Sequence, residues 1–267
     1  MVHLEQEGVP EDENAENWIP PHPKRLAGTV AIVTGAAGGL GQAIAVRLAD
    51  EGSTVAVLDI KEPIWEAGSP PRTTAWRCDV SQPDDVRRVV EDVAESQGGI
   101  DILVNAAGLL SGRSSLLEAT PEELHRFFGV NAVGALSMVQ ACYPYLKKSR
   151  HRGRVINVAS RTFFTGAPGQ LAYVASKGAL LGMTRVMARE LGPDRICVNA
   201  AIPSQVATPG TREHSNNEMF AGTMSQQAIQ EFVTPADFAG LVAYLASPDA
   251  TMVTGQSFVC DGGGLLH

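Results

Sequence analysis

Short apolar runs alternate with amphipathic stretches from Thr29 to the end of the chain. The runs are TVAIVT (29–34), TVAVLD (54–59), AWRCDV (75–80), IDILVN (100–105), RVINVAS (154–160), RICVNA (195–200) and QSFVCD (256–261). Each has the length of a strand, and most are apolar throughout rather than at every second position. This pattern is typical of parallel strands that are buried on both faces.

Helical spacing of apolar residues separates most of these runs. The predicted helices cover residues 40–48, 83–96, 121–148, 173–191 and 236–247, and a polar loop covers about 203–232. Alternating strands and helices joined by right-handed crossovers predict an α/β fold, with a doubly wound parallel sheet between two helical layers. No break in the pattern indicates a second domain.

The first 25 residues differ from the rest of the chain. They hold six carboxylates against two basic residues, a net charge of −4 and half of the chain's −8. The prolines of WIPPHPKR exclude a regular helix or a central strand there. We therefore expect an N-terminal extension over 1–25 and one domain over 26–267, with a substrate loop at about 203–232. The extension is either a disordered tail or an arm whose Trp18 and Ile19 pack on the body or on a neighbouring subunit.

Composition excludes several classes of protein. Of 267 residues, 44% are hydrophobic and 19% are charged, as in ordinary globular domains. The net charge of −8 disfavours an electrostatic nucleic-acid binder. Four scattered cysteines form no C-x-x-C pair, so we expect free thiols, no disulfide and no metal site. No apolar stretch of membrane-spanning length and no signal peptide are visible, which favours a cytoplasmic protein.

A glycine-rich turn follows the first strand. Gly35, Gly39 and Gly41 have the spacing G-x-x-x-G-x-G, with Gly38 between them. Glycines at a strand-to-helix junction let the backbone approach a pyrophosphate, and the helix N-terminus offers free N–H groups. The turn therefore predicts a dinucleotide site.

Asp59 ends the second strand at about the distance expected for a residue that binds the adenosine ribose. Its carboxylate would repel a 2′-phosphate, and Ile60 rather than a basic residue follows it. We therefore expect NAD rather than NADP, although nearby Lys61 keeps NADP open.

Tyr173 and Lys177 are spaced i and i+4, so one helix face carries both, and Ser160 ends the strand that precedes them. An ammonium and a cationic nicotinamide near the phenol would lower its pKa from about 10. Such a tyrosine is suited to general acid/base chemistry.

These motifs together resemble the short-chain dehydrogenase/reductase family in its short, single-domain branch, which has a Rossmann fold. The resemblance covers about residues 26–267 and rests on TGAAGGLG (34–41), Asp59, CDV (78–80), NAAG (105–108), Asn131, VINVAS (155–160), YVASK (173–177), VNAAIPSQVAT (198–208) and TGQSFVCDGG (254–263).

The resemblance implies a role for each matching residue. Tyr173 would be the acid/base and Ser160 would orient the substrate oxygen. Lys177 would lower the pKa of Tyr173 and hold the nicotinamide ribose, and Asn131 would anchor a water in the proton relay. The implied cofactor-binding residues are Gly35, Gly38, Gly39, Leu40, Gly41, Asp59, Ile60, Asp79, Val80, Asn105, Ala107, Gly108, Tyr173, Lys177, Pro203, Val206 and Thr208.

Two positions depart from the family pattern. Ala106 replaces the second asparagine of the usual Asn-Asn-Ala-Gly, a common variant. Ser204 replaces the glycine of the usual Pro-Gly, so the substrate loop either takes a different path or keeps the same conformation.

The sequence indicates the substrate-binding residues less specifically than the catalytic and cofactor-binding residues. The candidate residues are Leu109, Leu110, Arg161, Thr162, Phe163, Phe164, Gln170, Met219, Phe220 and Met224. The two phenylalanines indicate an apolar or aromatic-lined site, unless they belong to the core or to a subunit interface. Arg161 could instead pair with an acidic group of the substrate.

The favoured interpretation is an NAD-dependent dehydrogenase or reductase that interconverts a small secondary alcohol, aromatic or cyclic, and its ketone. Two alternatives are an NADPH-dependent reductase of 3-oxoacyl thioesters and a non-catalytic dinucleotide sensor on the same fold. The resemblance also implies a homotetramer or homodimer.

Overall fold

The computed structural model describes residues 24–65, 70–110 and 114–266. Its seven strands form one parallel sheet in the order β3-β2-β1-β4-β5-β6-β7. The strands are β1 (Val30–Thr34), β2 (Thr54–Asp59), β3 (Thr73–Arg77), β4 (Ile102–Asn105), β5 (Arg154–Val158), β6 (Cys197–Pro203) and β7 (Ser257–Cys260). The strand order reverses between β1 and β4, and ligands of doubly wound folds bind at such a point.

Helices cover both faces of the sheet, as predicted. They are α1 (Gly39–Asp50), α2 (Pro83–Gln97), α3 (Pro121–Phe128), α4 (Gly134–Leu146), α5 (Thr162–Thr165), α6 (Leu171–Leu191), α7 (Pro209–Arg212), α8 (Asn217–Met224) and α9 (Pro235–Ala246). Side chains of α1 and α9 fill the core on one face, and side chains of α2, α4 and α6 fill the core on the other. The predicted three-layer doubly wound fold is confirmed.

The described part of the N-terminal extension is joined to this body. Arg25 forms an ion pair of 2.8 Å with buried Glu51, which also pairs with Arg47 at 2.7 Å. Leu26 is fully buried in the core. The folded body therefore already includes Arg25, while Trp18 and Ile19 lie outside the described residues.

Three predicted elements differ from the observed ones. The third strand begins at Thr73 and ends at Arg77, before CDV. The predicted helix over 121–148 is divided by a π-helical turn at Gly129–Val133. Directly after this turn Gly134 packs closely on Val80, since a Cβ there would lie 2.9 Å from a Val80 methyl group. The polar loop contains the two short helices α7 and α8, each started by a side-chain cap, from Thr208 and from Asn216.

All four cysteines are free, and Cys78, Cys142 and Cys197 are buried. In the part of the chain that the structure describes, no His, Cys, Asp and Glu side chains gather into a possible metal site. Over the same ranges, no helix has both the length and the apolar character that are needed to cross a membrane.

Candidate active site

In the glycine turn, backbone atoms of the protein lie too close to Gly35 and Gly41 for a side chain to fit at either position. Gly35 has a φ of +65°, and a Cβ there would lie 2.6 Å from Ala107 Cα. A Cβ at Gly41 would lie only 2.2 Å from Gly35 O. These two glycines are thus required by the packing of the protein itself.

Gly38 differs from its neighbours, because no protein atom lies within 4 Å of where its Cβ would stand. It precedes the first turn of α1, followed by Gly39 and Leu40, and its backbone is extended. Packing in this structure therefore does not explain the glycine at 38, and the space beside it is open to a ligand.

Asp59 lies against this turn. Its carboxylate accepts a hydrogen bond of 3.0 Å from the Ala37 N–H and another of 3.0 Å from the Lys61 N–H. The end of β2 and the glycine turn therefore form one surface, with Asp59 fixed between them.

A cavity of about 440 Å³ opens beside Asp59. It is lined by Ile60, Arg77, Asp79, Asp85 and Arg88. Neither arginine was among the predicted site residues, because neither is adjacent to Asp59 in the sequence. Arg77 is the register partner of Asp59 on β3, a relationship that depends on strand pairing. The cavity thus holds two guanidinium groups and two carboxylates, and Arg88 is ion-paired with Asp85.

The end of β4 joins the turn to the rest of the site. The hydroxyl of Thr34 accepts hydrogen bonds of 3.1 and 3.0 Å from the N–H groups of Ala106 and Ala107. Asn105 donates to Asn157 Oδ1 at 2.9 Å, and its own side-chain oxygen is buried without a hydrogen-bond partner in the described structure.

Lys177 and Tyr173 share one face of α6, as the spacing predicts. Lys177 Nζ lies 5.9 Å from the centre of the Tyr173 ring and donates a hydrogen bond of 2.8 Å to Val158 O. The Tyr173 ring also packs edge-on against Phe127 at 6.5 Å. Both polar side chains are buried, at 4% and 8% exposure.

Ser160 contacts both Tyr173 and Thr162. It hydrogen-bonds with Tyr173, and its Oγ lies 2.9 Å from Thr162 Oγ1. The end of β5 therefore carries a hydroxyl that faces the phenol on α6.

Burial shifts the pKa values of this pair. Burial raises the pKa of Tyr173, and the hydrogen bond with Ser160 acts in the opposite direction with a smaller effect. Burial also lowers the pKa of Lys177 from 10.5 to about 8. The Lys177 ammonium donates to the Val158 carbonyl rather than to the phenol. The lowering of the Tyr173 pKa by Lys177 and a cationic nicotinamide stays a prediction.

Asn131 lies in the π-helical turn and connects three elements. Its Oδ1 accepts from Leu109 N–H at 2.7 Å, and its Nδ2 donates to Ser176 Oγ at 2.9 Å. The Ser176 hydroxyl in turn donates to Tyr173 O at 2.7 Å. Sequence reasoning missed Ser176, although its position within YVASK could have suggested it. A Cβ at Gly108 would lie 3.3 Å from both Asn131 Oδ1 and Lys177 Nζ, so Gly108 borders these groups.

The segment after β6 returns to the glycine turn. Pro203 and Val206 are buried, and the Thr208 side chain lies 3.4 Å from where a Cβ of Gly39 would stand. Ser204 does not have a positive φ, so its Cβ causes no backbone strain at the position where the family pattern has glycine.

The expected substrate residues fall into two groups. Leu110, Phe163 and Phe164 are 39%, 45% and 39% exposed, and the two aromatic rings meet edge-on at 5.1 Å. Thr162 reaches Ser160, and Gln170 precedes the first turn of α6. This first group surrounds the end of β5.

The second group does not face open space. Phe220 is 3% exposed and packs under the Arg212 guanidinium at 5.6 Å, within the segment that also carries Met219 and Met224. Arg161 is buried, with Nη1 3.9 Å from Asp261 Oδ2, and neither atom has a hydrogen-bond partner in the described structure. Arg161 thus faces a carboxylate of the protein itself.

Several known reductases are similar to this chain. A sequence profile for a family described as Enoyl-(Acyl carrier protein) reductase matches residues 35–264. The chain is 37% identical over 246 residues to the 3-oxoacyl-(acyl-carrier-protein) reductase FabG of Thermotoga maritima, covering 90% of this chain and 98% of that protein. It is 35% identical over 251 residues to an (S)-acetoin-forming diacetyl reductase of Staphylococcus aureus, covering 88% and 96%.

Solved structures have the same fold. A 3-ketoacyl-(acyl-carrier-protein) reductase from Brucella melitensis, complexed with NADH, superimposes with a TM-score of 0.82 at 31% identity, over 90% of this chain and 99% of that one. A short-chain dehydrogenase/reductase described as a glucose/ribitol dehydrogenase, from the same organism, gives a TM-score of 0.84 at 30% identity, over 92% and 100%.

The profile match spans most of the chain, and both curated relatives exceed 30% identity over nearly their whole length. The chain therefore belongs to the short-chain dehydrogenase/reductase family of oxidoreductases.

Proposed function

We propose that the protein is an NAD(H)-dependent oxidoreductase that interconverts a secondary alcohol, aromatic or cyclic, and its ketone. The observation that carries the proposal is the Tyr173 phenol, buried beside Lys177 on α6 and hydrogen-bonded with Ser160. A buried tyrosine, a lysine and a serine at the carboxyl edge of the sheet can exchange a proton with a carbonyl or alcohol oxygen.

A nicotinamide dinucleotide fits the residues that are present. The open space at Gly38 and the free N–H groups at the start of α1 would take the pyrophosphate. Asp59 would accept hydrogen bonds from the adenosine ribose, beside Ile60, Asp79 and Val80. Asn105, Ala107 and Gly108 would line the opposite side. Pro203, Val206 and Thr208 would border the nicotinamide.

The bound nicotinamide supplies or accepts the hydride. In the reducing direction, Tyr173 Oη donates its proton to the carbonyl oxygen while Ser160 donates a hydrogen bond that orients the same oxygen. In the oxidising direction, Tyr173 takes the proton from the alcohol. Lys177 donates to Val158 O, which fixes the ammonium beside the phenol, and its other N–H groups would hold ribose hydroxyls.

Asn131 would anchor a water that returns the proton to solvent past Lys177. Its side chain holds the loop at Leu109 on one side and Ser176 of α6 on the other. This role is a positioning role within the proton relay.

The substrate pocket is proposed at the exposed group around β5. Leu110, Phe163 and Phe164 would give it an apolar or aromatic wall, next to Thr162 and Gln170. Arg161 and Phe220 would support this wall from behind, since both are buried. Because Arg161 faces Asp261, we infer an uncharged substrate.

An NADPH-dependent reductase of 3-oxoacyl thioesters is the second candidate. It is favoured by the similarity to a 3-oxoacyl-(acyl-carrier-protein) reductase and by the two arginines in the cavity beside Asp59. A non-catalytic sensor is disfavoured because Asn131, Ser160, Tyr173 and Lys177 are all present.

A spectrophotometric panel tests the proposal. Purified protein is assayed with NAD(H) and NADP(H) against aryl, cyclic and aliphatic secondary alcohols, their ketones, diacetyl and a 3-oxoacyl thioester. We expect turnover of cyclic or aryl substrates with NAD(H), lowered about 10³-fold by Tyr173→Phe. Tyr143→Phe is the matched control, because the Tyr143 hydroxyl binds Asp194 far from the site. Turnover of the thioester with NADPH alone would establish the second candidate.

The location, oligomeric state and partners of the enzyme are proposed as well. We infer a cytoplasmic homotetramer or homodimer with a small-molecule substrate, and with neither nucleic acid nor membrane as partner. Light scattering of the full-length protein measures the oligomeric state.

A further inference from the structure

The segment after β6 leaves the sheet and returns to it. We call residues 205–226 the lid segment, which contains α7 and α8. Its first part covers the glycine turn, where the Thr208 side chain approaches Gly39. Gly210 lies near Leu110, whose Cδ1 would be 3.6 Å from a Cβ there. The lid segment thus borders both the proposed cofactor side and the proposed substrate side.

The lid segment is braced by its own hydrogen bonds. Gln205 Nε2 donates to Ser215 Oγ at 2.8 Å, and Thr223 Oγ1 donates to Gln205 Oε1 at 2.6 Å. Thr211 Oγ1 donates to Val206 O at 2.6 Å, and Phe220 is buried under Arg212. Because these contacts lie inside the segment, its internal arrangement is held by its own residues.

The two residues that flank the lid segment are joined to each other by a side-chain hydrogen bond. Ser204 Oγ donates to Gln227 Oε1 at 3.2 Å, with both residues buried at 7% and 5% exposure. Gln227 Nε2 donates to Ile229 O at 3.0 Å and to Glu231 O at 2.8 Å. The amide therefore links the start of the lid segment to the chain that leaves it.

This link is anchored on the last strand. Ser204 N–H donates to Cys260 O at 2.9 Å, and Ile229 N–H donates to Gly262 O at 2.8 Å. Gly262 has a φ of +64°, and a Cβ there would lie 2.6 Å from Gln227 Nε2. A glycine at 262 therefore makes room for the amide, which gives a physical reason for part of the glycine run after β7.

We propose that the Ser204–Gln227 hydrogen bond is a latch that holds the lid segment over the site. Ser204 and Gln227 are then positioning residues that determine how firmly substrate is retained. The Ser204 hydroxyl supplies the donor of this bond, and the Gln227 amide oxygen supplies the acceptor. The effect on turnover rests on the proposed function, whereas the effect on lid mobility does not.

Hydrogen–deuterium exchange of the unliganded full-length protein tests the latch. In Ser204→Ala, peptides within 205–226 should exchange about fivefold faster, the factor associated with one buried hydrogen bond. Peptides of β4 should be unchanged. The matched control is Ser225→Ala, because the Ser225 hydroxyl donates only to Gly222 O, within the lid segment itself. Equal exchange in wild type and Ser204→Ala would overturn the proposal.

Two further variants distinguish the effect of the lost hydroxyl from an effect of backbone freedom on the exchange rate. Ser204→Gly should match Ser204→Ala; faster exchange in the glycine variant alone would attribute the effect to backbone freedom and overturn the latch. Gln227→Met removes the acceptor, so adding Ser204→Ala to it should change nothing further. Additive effects of the two substitutions would also overturn the latch.

Measurements of KM and kcat test whether the latch affects substrate retention. If the panel above finds a substrate, Ser204→Ala should raise KM about fivefold and leave kcat within about twofold, because the variant changes retention and not the proton transfer. An unchanged KM alongside faster exchange would overturn the positioning role. If no substrate turns over, the proposed function fails, and the exchange measurement still decides whether the latch exists.

Discussion

The carboxylate of Asp59 accepts a hydrogen bond of 3.0 Å from the backbone N–H of Ala37, inside the glycine turn. This contact joins the end of β2 to the start of α1 and fixes where the negative charge lies. The same carboxylate shares its surroundings with Arg77 and Arg88, which line the adjoining cavity. We therefore expect the preference between NAD and NADP to depend on the balance between the Asp59 carboxylate and these two arginines, of which Arg88 is ion-paired with Asp85 and Asp92.

Replacing Asp59 should shift this balance. In Asp59→Asn we expect the Kd of NAD to rise and the Kd of NADP to fall, each about tenfold, or about 1.4 kcal/mol. The neutral amide no longer repels a 2′-phosphate, and the arginines remain. Fluorescence titration with both cofactors measures the change. Asp50→Asn, at the exposed end of α1, is the control. An unaltered preference would show that Asp59 does not contact the ribose.

Two glycines of the turn should respond differently to substitution, because one is required by protein packing and the other borders the space proposed for the cofactor. Gly41→Ala should destabilise the protein by about 1–3 kcal/mol, because its Cβ would overlap Gly35 O. Gly38→Ala should leave the free energy of unfolding unchanged, because its Cβ would meet no protein atom. The same variant should weaken NAD binding about tenfold by occupying space that the pyrophosphate needs. Urea unfolding and NAD titration measure the two quantities. NAD binding that is unaffected by Gly38→Ala would count against a pyrophosphate at this position.

Burial of Lys177 predicts a stability difference that depends on pH. Its folded-state pKa of about 8 lies below the usual 10.5, so protonation opposes folding below pH 8. This penalty disappears as the pH rises from about 8 to 10.5, where the folded chain has released the proton and the unfolded chain still holds it. The Tm of Lys177→Met minus the Tm of wild type should therefore be largest below pH 8. This difference should fall to its smallest value by about pH 10.

Differential scanning calorimetry of the two proteins across pH 6 to pH 10 measures this trend. Lys147→Met is the control, since Lys147 is exposed and its pKa is raised by Asp194. That variant should show no relative gain at low pH. A constant difference between wild type and Lys177→Met across the range would contradict the lowered pKa.

Arg161 and Asp261 form a buried pair whose two facing atoms have no other hydrogen-bond partner in the described structure. Arg161→Leu should cost about 3–5 kcal/mol, because it leaves the buried Asp261 carboxylate with the Gly263 and Gly264 N–H groups but without the cation that faces it. Arg161→Leu combined with Asp261→Leu should recover most of this loss. Urea unfolding measures both. If Arg161→Leu instead leaves stability intact and raises KM for a carboxylate substrate, Arg161 contacts substrate rather than Asp261.

The fold could be predicted from the sequence because burial on both faces of a parallel sheet leaves continuous apolar runs. The strands VAIVT and TVAVLD are observed at their predicted positions. The proximity of Tyr173 and Lys177 could also be predicted, since helical spacing alone brings i and i+4 together. The π-helical turn at Gly129–Val133 could not, because the local apolar pattern is the same as that of the regular helix predicted over 121–148.

Local sequence thus determined the order of the elements, the glycine turn and the residues carried on one face of α6. Contacts between distant parts of the chain were decided only by the tertiary structure. Strand pairing places Arg77 beside Asp59, and the return of the chain after α8 brings Gln227 to Ser204. Burial raises the pKa of Tyr173 and lowers the pKa of Lys177, because desolvation depends on the whole surrounding fold and not on the spacing of two residues.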